Sequence, residues 1–367
     1  MDIRAAVVRT SGGEFAIENL TLESPREDEV LVKIAGVGVC HTDLVCRDQY
    51  FPVPLPCVFG HEGSGVVEAV GRAVVSVQPG DHVVLSFSSC HSCPSCISGQ
   101  PAYCHQLYHR NFLGTRPDGS SALSQRGQTV HGHFFAQSSF GTYALAAQRN
   151  TVKVDRNAPL WLLGPLGCGV QTGAGAVINA FHPQAGSTIA IFGAGTVGLS
   201  AVMAARLCGC STIVAVDPVA ARRDLALALG ATHAFDPKAE DPVKAIQAIT
   251  GSGVLYSLEC TGLPGVVRQA VESLTLTGTC GVVGVSRLGT EVTLDMNNIL
   301  FGRAVRGIIE GDSVPQEFIP RLIDLHRQCR FPFDALVTAY EFDEIQHAVD
   351  DSERGKVVKA VLRMPGF

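Results

Sequence analysis

One segment restricts the fold more than any other. The short apolar run 188–192 leads into Gly193-Ala194-Gly195-Thr196-Val197-Gly198. Helical spacing follows over 196–207, and a second apolar run, 212–216, ends at Asp217, 24 residues after Gly193. With 39 glycines in the chain, a G-x-G-x-x-G by itself says little. One that closes a strand and opens a helix has a mechanical meaning at each position. Gly193 permits the tight turn, Gly195 lets a pyrophosphate approach the backbone, and Gly198 allows close helix–strand packing. Thr196 and Val197 begin the helix whose first amides and dipole favour phosphates. Asp217 would accept hydrogen bonds from the adenosine ribose and repel a 2′-phosphate, which predicts NAD over NADP. Arg222 and Arg223 stand close enough in sequence to soften that preference.

The alternation continues with a helix at 219–229, a strand at 233–235, a helix at 242–250, a strand at 254–260 and a further helix. Strands at 280–285 and 305–309 complete it. Strands alternating with helices predict an α/β unit with a doubly wound parallel sheet of six strands. Residues 1 to about 155 read differently, as short strands such as 30–34, 64–70 and 82–87 broken by Gly, Pro and Asp. This half is expected to be all-β, a folded-over barrel. Residues 105–135 lack any period and are expected to form a long surface loop or lid. The last stretch returns to mixed character and is expected to rejoin the first domain. The expected division is 1–172, 173–312 and 313–367.

Composition removes several classes of function. The net charge is −6 with no basic block, which argues against nucleic acid as partner. No uncharged apolar run reaches the roughly 18 residues of a membrane span, and the N-terminus shows no signal-peptide core. The chain has 13 cysteines, an odd number, without an export signal, so metal ligation or catalysis explains them better than disulfides do. Cys90, Cys93, Cys96 and Cys104 are spaced C-x2-C-x2-C-x7-C. Four thiolates so close can close tetrahedrally on one Zn²⁺ and leave no open position, a structural site. An iron–sulfur cluster is the alternative. A nucleic-acid-binding finger is disfavoured, since residues 86–104 contain no Lys or Arg.

Three other segments offer ligands: Cys40-His41-Thr42-Asp43, Gly60-His61-Glu62-Gly63 and Gly164-Pro165-Leu166-Gly167-Cys168-Gly169. Cys40, His61 and Cys168 would supply two thiolates and one imidazole, and three protein ligands with an open fourth position is the pattern of catalytic zinc. Each alone reads more readily as an ordinary buried Cys or His. Together with the cysteine lobe and the glycine fingerprint they read as a metal site. The other seven cysteines, Cys46, Cys57, Cys208, Cys210, Cys260, Cys280 and Cys329, read as small packing residues, in keeping with a reducing cytoplasm.

With these motifs the chain resembles the zinc-dependent medium-chain alcohol dehydrogenases over essentially its full length. Within them it looks most like the bacterial aryl-alcohol (benzyl alcohol) and allylic geraniol-type enzymes. That finer likeness rests on the 105–135 segment, Cys40-His41-Thr42-Asp43-Leu44-Val45 and Pro52-Val53-Pro54-Leu55-Pro56. The resemblance implies a GroES-like domain interrupted by a Rossmann domain, an active site in the cleft between them, two zinc ions per chain, and a homodimer or homotetramer. It implies catalytic zinc at Cys40, His61 and Cys168 and structural zinc at Cys90, Cys93, Cys96 and Cys104. Asp43 would orient His61, Glu62 would assist ligand exchange, and Thr42 would take the alcohol proton. His41 would lie near the pyrophosphate, with Thr172 and Lys359 as further cofactor residues. Many relatives carry a His three residues after Thr42 to relay the proton. Here Val45 stands instead, which is expected to shift pH dependence rather than abolish activity. The implied reaction is NAD-linked oxidation of a primary aromatic or allylic alcohol to its aldehyde, with Phe51, Phe87 and the long loop near the substrate. The alternatives are a glutathione-dependent formaldehyde dehydrogenase and a non-catalytic zinc- and nucleotide-binding regulator.

Overall fold

The apolar runs of the second half form one sheet in which every pairing is parallel. Its order is His233–Phe235, Thr212–Val216, Thr188–Phe192, Val254–Glu259, Leu274–Val282 and Ala304–Gly307. Strand order reverses between Thr188–Phe192 and Val254–Glu259, which makes their carboxyl ends the place where such sheets bind ligands. The near-continuous burial of Ala190, Phe192, Val214 and Val216 fits strands covered on both faces. Two strands differ from expectation. The fifth begins at Leu274 instead of 280 and ends at Val282, and the sixth covers Ala304–Gly307. The polar stretch Thr275-Leu276-Thr277 had masked the start of the fifth strand.

The computed structural model describes residues 1–367, which fall into two compact units. The first comprises Met1–Cys168, Val314–Asp324 and Val337–Phe367; the second comprises Gly169–Ser313 and Leu325–Leu336. The first unit is built on two sheets. The five-stranded one runs Cys57–Val58, Asp2–Val8, Ala16–Leu22, Leu123–Gln125, Gln128–Val130. The larger one has Glu29–Gly38 at its centre, paired with Gly63–Val70, Tyr143–Ala147 and the late strand Lys359–Arg363. The pairing Val361 to Gly38 brings the end of the chain beside its beginning.

Residues 105–135 are a correction to the sequence reading. They are not a surface loop. They contain the helix Leu107–Asn111 and a hairpin, Leu123–Gln125 with Gln128–Val130, that extends the five-stranded sheet. Leu123, Val130, Phe134 and Phe135 are buried in the core of the first unit. Arg116 is buried as well, its guanidinium bonded to Glu29 at 2.6 and 2.9 Å and to Glu23 at 2.6 Å. No period was visible because turns, not a helix or a long strand, aim these side chains. His133, Phe135, Ala136 and Ser138 all have left-handed backbone angles.

Candidate metal and dinucleotide sites

Glu29–Gly38 ends in Val39 and Cys40, and Cys40 caps the helix His41–Arg47. Asp43, in the first turn, is fully buried and organises what surrounds it. Its Oδ2 accepts the Cys40 amide at 3.0 Å, and its Oδ1 accepts the Gly60 amide at 3.0 Å and His61 Nδ1 at 2.9 Å. A carboxylate on Nδ1 fixes that nitrogen as the donor, so Nε2 carries the lone pair. His61 Nε2 is buried and makes no hydrogen bond of ordinary geometry. The ligand atoms of Cys40, His61, Glu62 and Cys168 all lie within 4.8 Å of one another. Two sulfurs, an imidazole lone pair and a carboxylate gathered around a buried nitrogen of this kind fit a zinc ion.

Electrostatics favour the ligating form at Cys40 and the protonated form at His61 and Glu62. The neighbouring Cys168, then the His61 imidazole and Lys359 ammonium, hold the Cys40 thiol well below its usual range against the opposing effect of burial. The thiolate is the ligating form. Burial disfavours charge on His61, but Asp43 and Cys40 outweigh it and raise its pKa well above the ordinary value, so a metal ion at Nε2 would displace a proton. Burial pushes Glu62 up to about 7 against the pull of Lys359, with Cys40 adding to the rise. Lys359 was expected at the cofactor. It is buried in the first unit, where its Nζ donates to both Glu62 oxygens at 2.9 Å and to the Val39 carbonyl at 3.0 Å. Burial opposes its charge, and the Glu62 carboxylate more than restores it. Gly38 leaves the room for Glu62, since a Cβ there would lie 1.9 Å from Oε2. Thr42 is half-buried with its hydroxyl 3.8 Å from Cys40 Sγ, His41 is exposed, and Val45 is buried.

Of the aromatic wall beside this cluster, the sequence pointed to Phe51 and to the 105–135 segment without naming its rings. Phe135 stacks on the His61 ring with centroids 4.5 Å apart, and Phe134 meets it edge-on at 5.5 Å. Phe112 contacts Phe135 at 5.2 Å, and Phe51 contacts Phe112 at 5.8 Å. The adjacent pair Phe134-Phe135 in an otherwise polar stretch was the available signal.

Cys90, Cys93, Cys96 and Cys104 also converge, their sulfurs within 4.8 Å of one another. Backbone amides point at them: Cys93 to Cys90 Sγ at 3.2 Å, Cys90 to Cys104 Sγ at 3.2 Å, His105 to Cys93 Sγ at 3.4 Å. Hydrogen bonds from Ser92 and then Cys93 lower the Cys90 thiol to about 5, against burial. Amides aimed at sulfur stabilise thiolates, and a closed set of four fits a structural metal.

In the second unit the glycines behave as their spacing requires. Gly193 has φ +95°, and its amide donates to the Val216 carbonyl at 2.8 Å. A Cβ on Gly198 would lie 1.8 Å from the Gly193 oxygen, whereas one on Gly195 would meet nothing within 4 Å. That open space, at the N-terminus of the helix Thr196–Leu207, would fit a pyrophosphate. Asp217 is buried at the end of the next strand and accepts the Ala194 amide at 2.8 Å and the Val219 amide at 2.8 Å. It therefore shapes the loop. Arg223 donates to the Asp217 carbonyl at 2.8 Å and pairs with Asp236 at 3.3 Å, and Arg222 sits half-buried in the first turn of Ala220–Leu229. The Thr172 hydroxyl lies 3.5 Å from Glu310.

A ligand set that fits a metal in one unit and a glycine loop that fits a dinucleotide in the other point to a metal-dependent, nicotinamide-linked oxidoreductase. Comparison with known proteins agrees. The zinc-binding dehydrogenase family matches residues 196–327, and the alcohol dehydrogenase GroES-like domain matches 26–156. The geraniol dehydrogenase of Castellaniella defragrans is 52% identical over 362 residues, 98% of this chain and 97% of that protein. The crystal structure of benzyl alcohol dehydrogenase from Acinetobacter calcoaceticus superposes with a TM-score of 0.96 at 50% identity, covering 99% of both chains. That of an alcohol dehydrogenase zinc-binding domain protein from Burkholderia ambifaria gives 0.98 at 55% identity, covering 100% of this chain and 99% of that one. The chain belongs to the zinc-dependent medium-chain alcohol dehydrogenases.

Proposed function

We propose that this chain oxidises primary alcohols carrying an aromatic or allylic carbon next to the CH₂OH, reversibly, with NAD as acceptor. The observation that carries the reading is the convergence of Cys40, His61 and Cys168 around an Asp43-oriented imidazole. A zinc ion held by those three residues supplies a Lewis acid that lowers the pKa of an alcohol hydroxyl. NAD, with its pyrophosphate on Gly195 and its adenosine ribose near Asp217, supplies the hydride acceptor. Asp43 keeps the ligating face of His61 fixed. Glu62, tied to Lys359, keeps a second carboxylate beside the ligands. Thr42 Oγ1 accepts the alcohol proton and passes its own on. Val45 has no titratable group, so it cannot carry the proton onward from Thr42. Phe135, Phe112 and Phe51 offer flat apolar faces beside the metal site, suited to a conjugated substrate.

Partners beyond a small alcohol or aldehyde follow from the surface. The edge strand Ala304–Gly307 pairs on one side only, and beside it Met296, Leu300 and Phe301 are 85%, 75% and 61% exposed. A second copy pairing at this edge would cover both the open strand and the apolar patch, so we place a homodimer contact there. No helix is long and apolar enough to cross a membrane. None of the 13 cysteines is joined in a disulfide, which suits a reducing cytoplasm.

The test is NAD-coupled turnover with benzyl alcohol, geraniol, ethanol and S-hydroxymethylglutathione, beside Cys168→Ser as control. Benzyl alcohol or geraniol should give the highest kcat/KM, and the variant should bind NAD yet turn nothing over. A preference for S-hydroxymethylglutathione, or full activity of the variant, would overturn the reading.

A further inference from the structure

Glu259 is the last residue of the strand Val254–Glu259, at the carboxyl end of the sheet and next to the point where strand order reverses. Its register partners are Phe192, which precedes the glycine loop, and Val282. The side chain is fully buried. None of its hydrogen bonds comes from a cation. Its carboxylate is held by neutral donors alone: the Thr261 amide at 2.6 Å, the Thr261 hydroxyl, and the Gly262 amide at 3.0 and 3.1 Å to the two oxygens. A charge buried without a counter-ion is costly, and such groups persist where a ligand uses them.

The neighbourhood is built tightly around this carboxylate. A Cβ on Gly284 would lie 2.0 Å from the Gly262 nitrogen and 2.7 Å from Glu259 Oε2. A Cβ on Gly193 would lie 2.9 Å from Thr261 Cγ2, so the loop that Glu259 gathers abuts the first glycine of the fingerprint. The amides of Val283 and Gly284 donate to the Glu259 carbonyl at 2.9 and 3.1 Å, and Ser286 donates to the Gly262 carbonyl. Residues 260–263 and 283–286 are thus fastened to one another through Glu259.

The side of the sheet matters. Asp217, at the ribose of the adenosine half, ends the strand on one flank of Thr188–Phe192, and Glu259 ends the strand on the other flank. A dinucleotide whose pyrophosphate crosses at Gly195 must lay its nicotinamide half on the Glu259 flank. The nicotinamide ring is a cation in NAD⁺ and neutral in NADH. We propose that Glu259 is a positioning residue that anchors the rim under the nicotinamide half and, through its uncompensated negative charge, favours the oxidised cofactor over the reduced one. The proposal rests on NAD binding at the glycine loop.

The experiment is equilibrium binding of NAD⁺ and of NADH to the zinc-loaded protein, by calorimetry and by NADH fluorescence, for the parent chain, Glu259→Gln and Thr261→Val. Glu259→Gln should weaken NAD⁺ by about ten-fold and NADH by less than about three-fold, the size expected of one charge acting through a medium of intermediate dielectric. Thr261→Val keeps the charge and loosens the rim, and should weaken both forms alike. Equal weakening of both forms by Glu259→Gln, or no change in either, would overturn the proposal. If Glu259→Gln does not fold, Val285→Lys decides. Val285 is 38% exposed on the same rim, and an added ammonium should shift the NAD⁺/NADH ratio in the same direction. Its failure to do so counts against the proposal. Failure of the parent chain to bind either form would instead refute the NAD reading itself.

Discussion

Replacing Asp43 by Asn tests the architecture of the metal site with almost no change of shape. The carboxylate accepts three hydrogen bonds, at 3.0 Å from Cys40, 3.0 Å from Gly60 and 2.9 Å from His61. An amide can keep its oxygen toward Gly60 and His61, which share Oδ1. Its NH₂ then faces the Cys40 amide, donor against donor. A buried donor left unpaired costs about 1–3 kcal/mol. The bond to His61 also changes from charge-assisted to neutral, which roughly halves it. Because Cys40 and His61 are both proposed ligands, the loss falls on metal binding, and losing such an outer partner typically weakens a metal by 10–100-fold. Competition against a chromogenic chelator at fixed pH should show zinc affinity at this site lowered by about that factor, roughly 1.4–2.8 kcal/mol. The cysteine lobe should keep its metal, and NAD affinity should hold. A zinc affinity within two-fold of the parent chain would refute the idea that Asp43 holds the ligand set in place.

Other consequences are as direct. Gly195→Ala should fold normally, because its Cβ meets nothing within 4 Å, yet lose NAD affinity; Gly198→Ala should lower Tm as well, its Cβ being 1.8 Å from the Gly193 oxygen. Melting curves with NAD titrations separate the two, and equal melting temperatures would contradict the packing argument. Cys96→Ser should leave one zinc per chain by elemental analysis and a lower Tm, since closed thiolate sites contribute directly to folding. Two retained zincs would rule out a four-sulfur site. Burial lowers the His133 pKa to about 4. The unfolded chain, with a His near 6.5, binds the proton first, so stability should be full above about pH 6.5 and decline as pH falls toward 4. The loss is at most about 3 kcal/mol, less whatever water at the half-buried ring recovers. His133→Asn suits the left-handed backbone there and should flatten that slope in acid unfolding curves, and an unchanged slope would assign the loss to other groups.

Residues that act within one turn of chain could be read directly. The glycine fingerprint works because Gly193, Gly195 and Gly198 share one loop and one helix start, so spacing alone fixes their geometry. The same holds for Cys90, Cys93, Cys96 and Cys104, close enough in the chain that only a compact turn can hold them. The alternating strands and helices likewise announced a parallel sheet, because periodicity is a property of consecutive residues.

Other features depended on sheet registers that join distant segments. Cys40, His61 and Cys168 meet only because Glu29–Gly38 pairs with Gly63–Val70 and the turn before Cys168 packs on both strands' ends. Spacing by itself left each as an ordinary buried residue; only their residue types, taken with the cysteine lobe and the glycine fingerprint, suggested the grouping. Lys359 comes to Glu62 through a late strand that pairs beside Val39. Residues 105–135 looked structureless because left-handed turns, which leave no period, carry Phe134 and Phe135 to His61 and Arg116 to Glu29. Glu259 ended an apolar run like any strand-terminal carboxylate, and only its burial without a cation set it apart. Local geometry is encoded in neighbouring residues. Which distant side chains share a low-dielectric pocket is decided by the topology of the sheets, and with it the charge each of them carries.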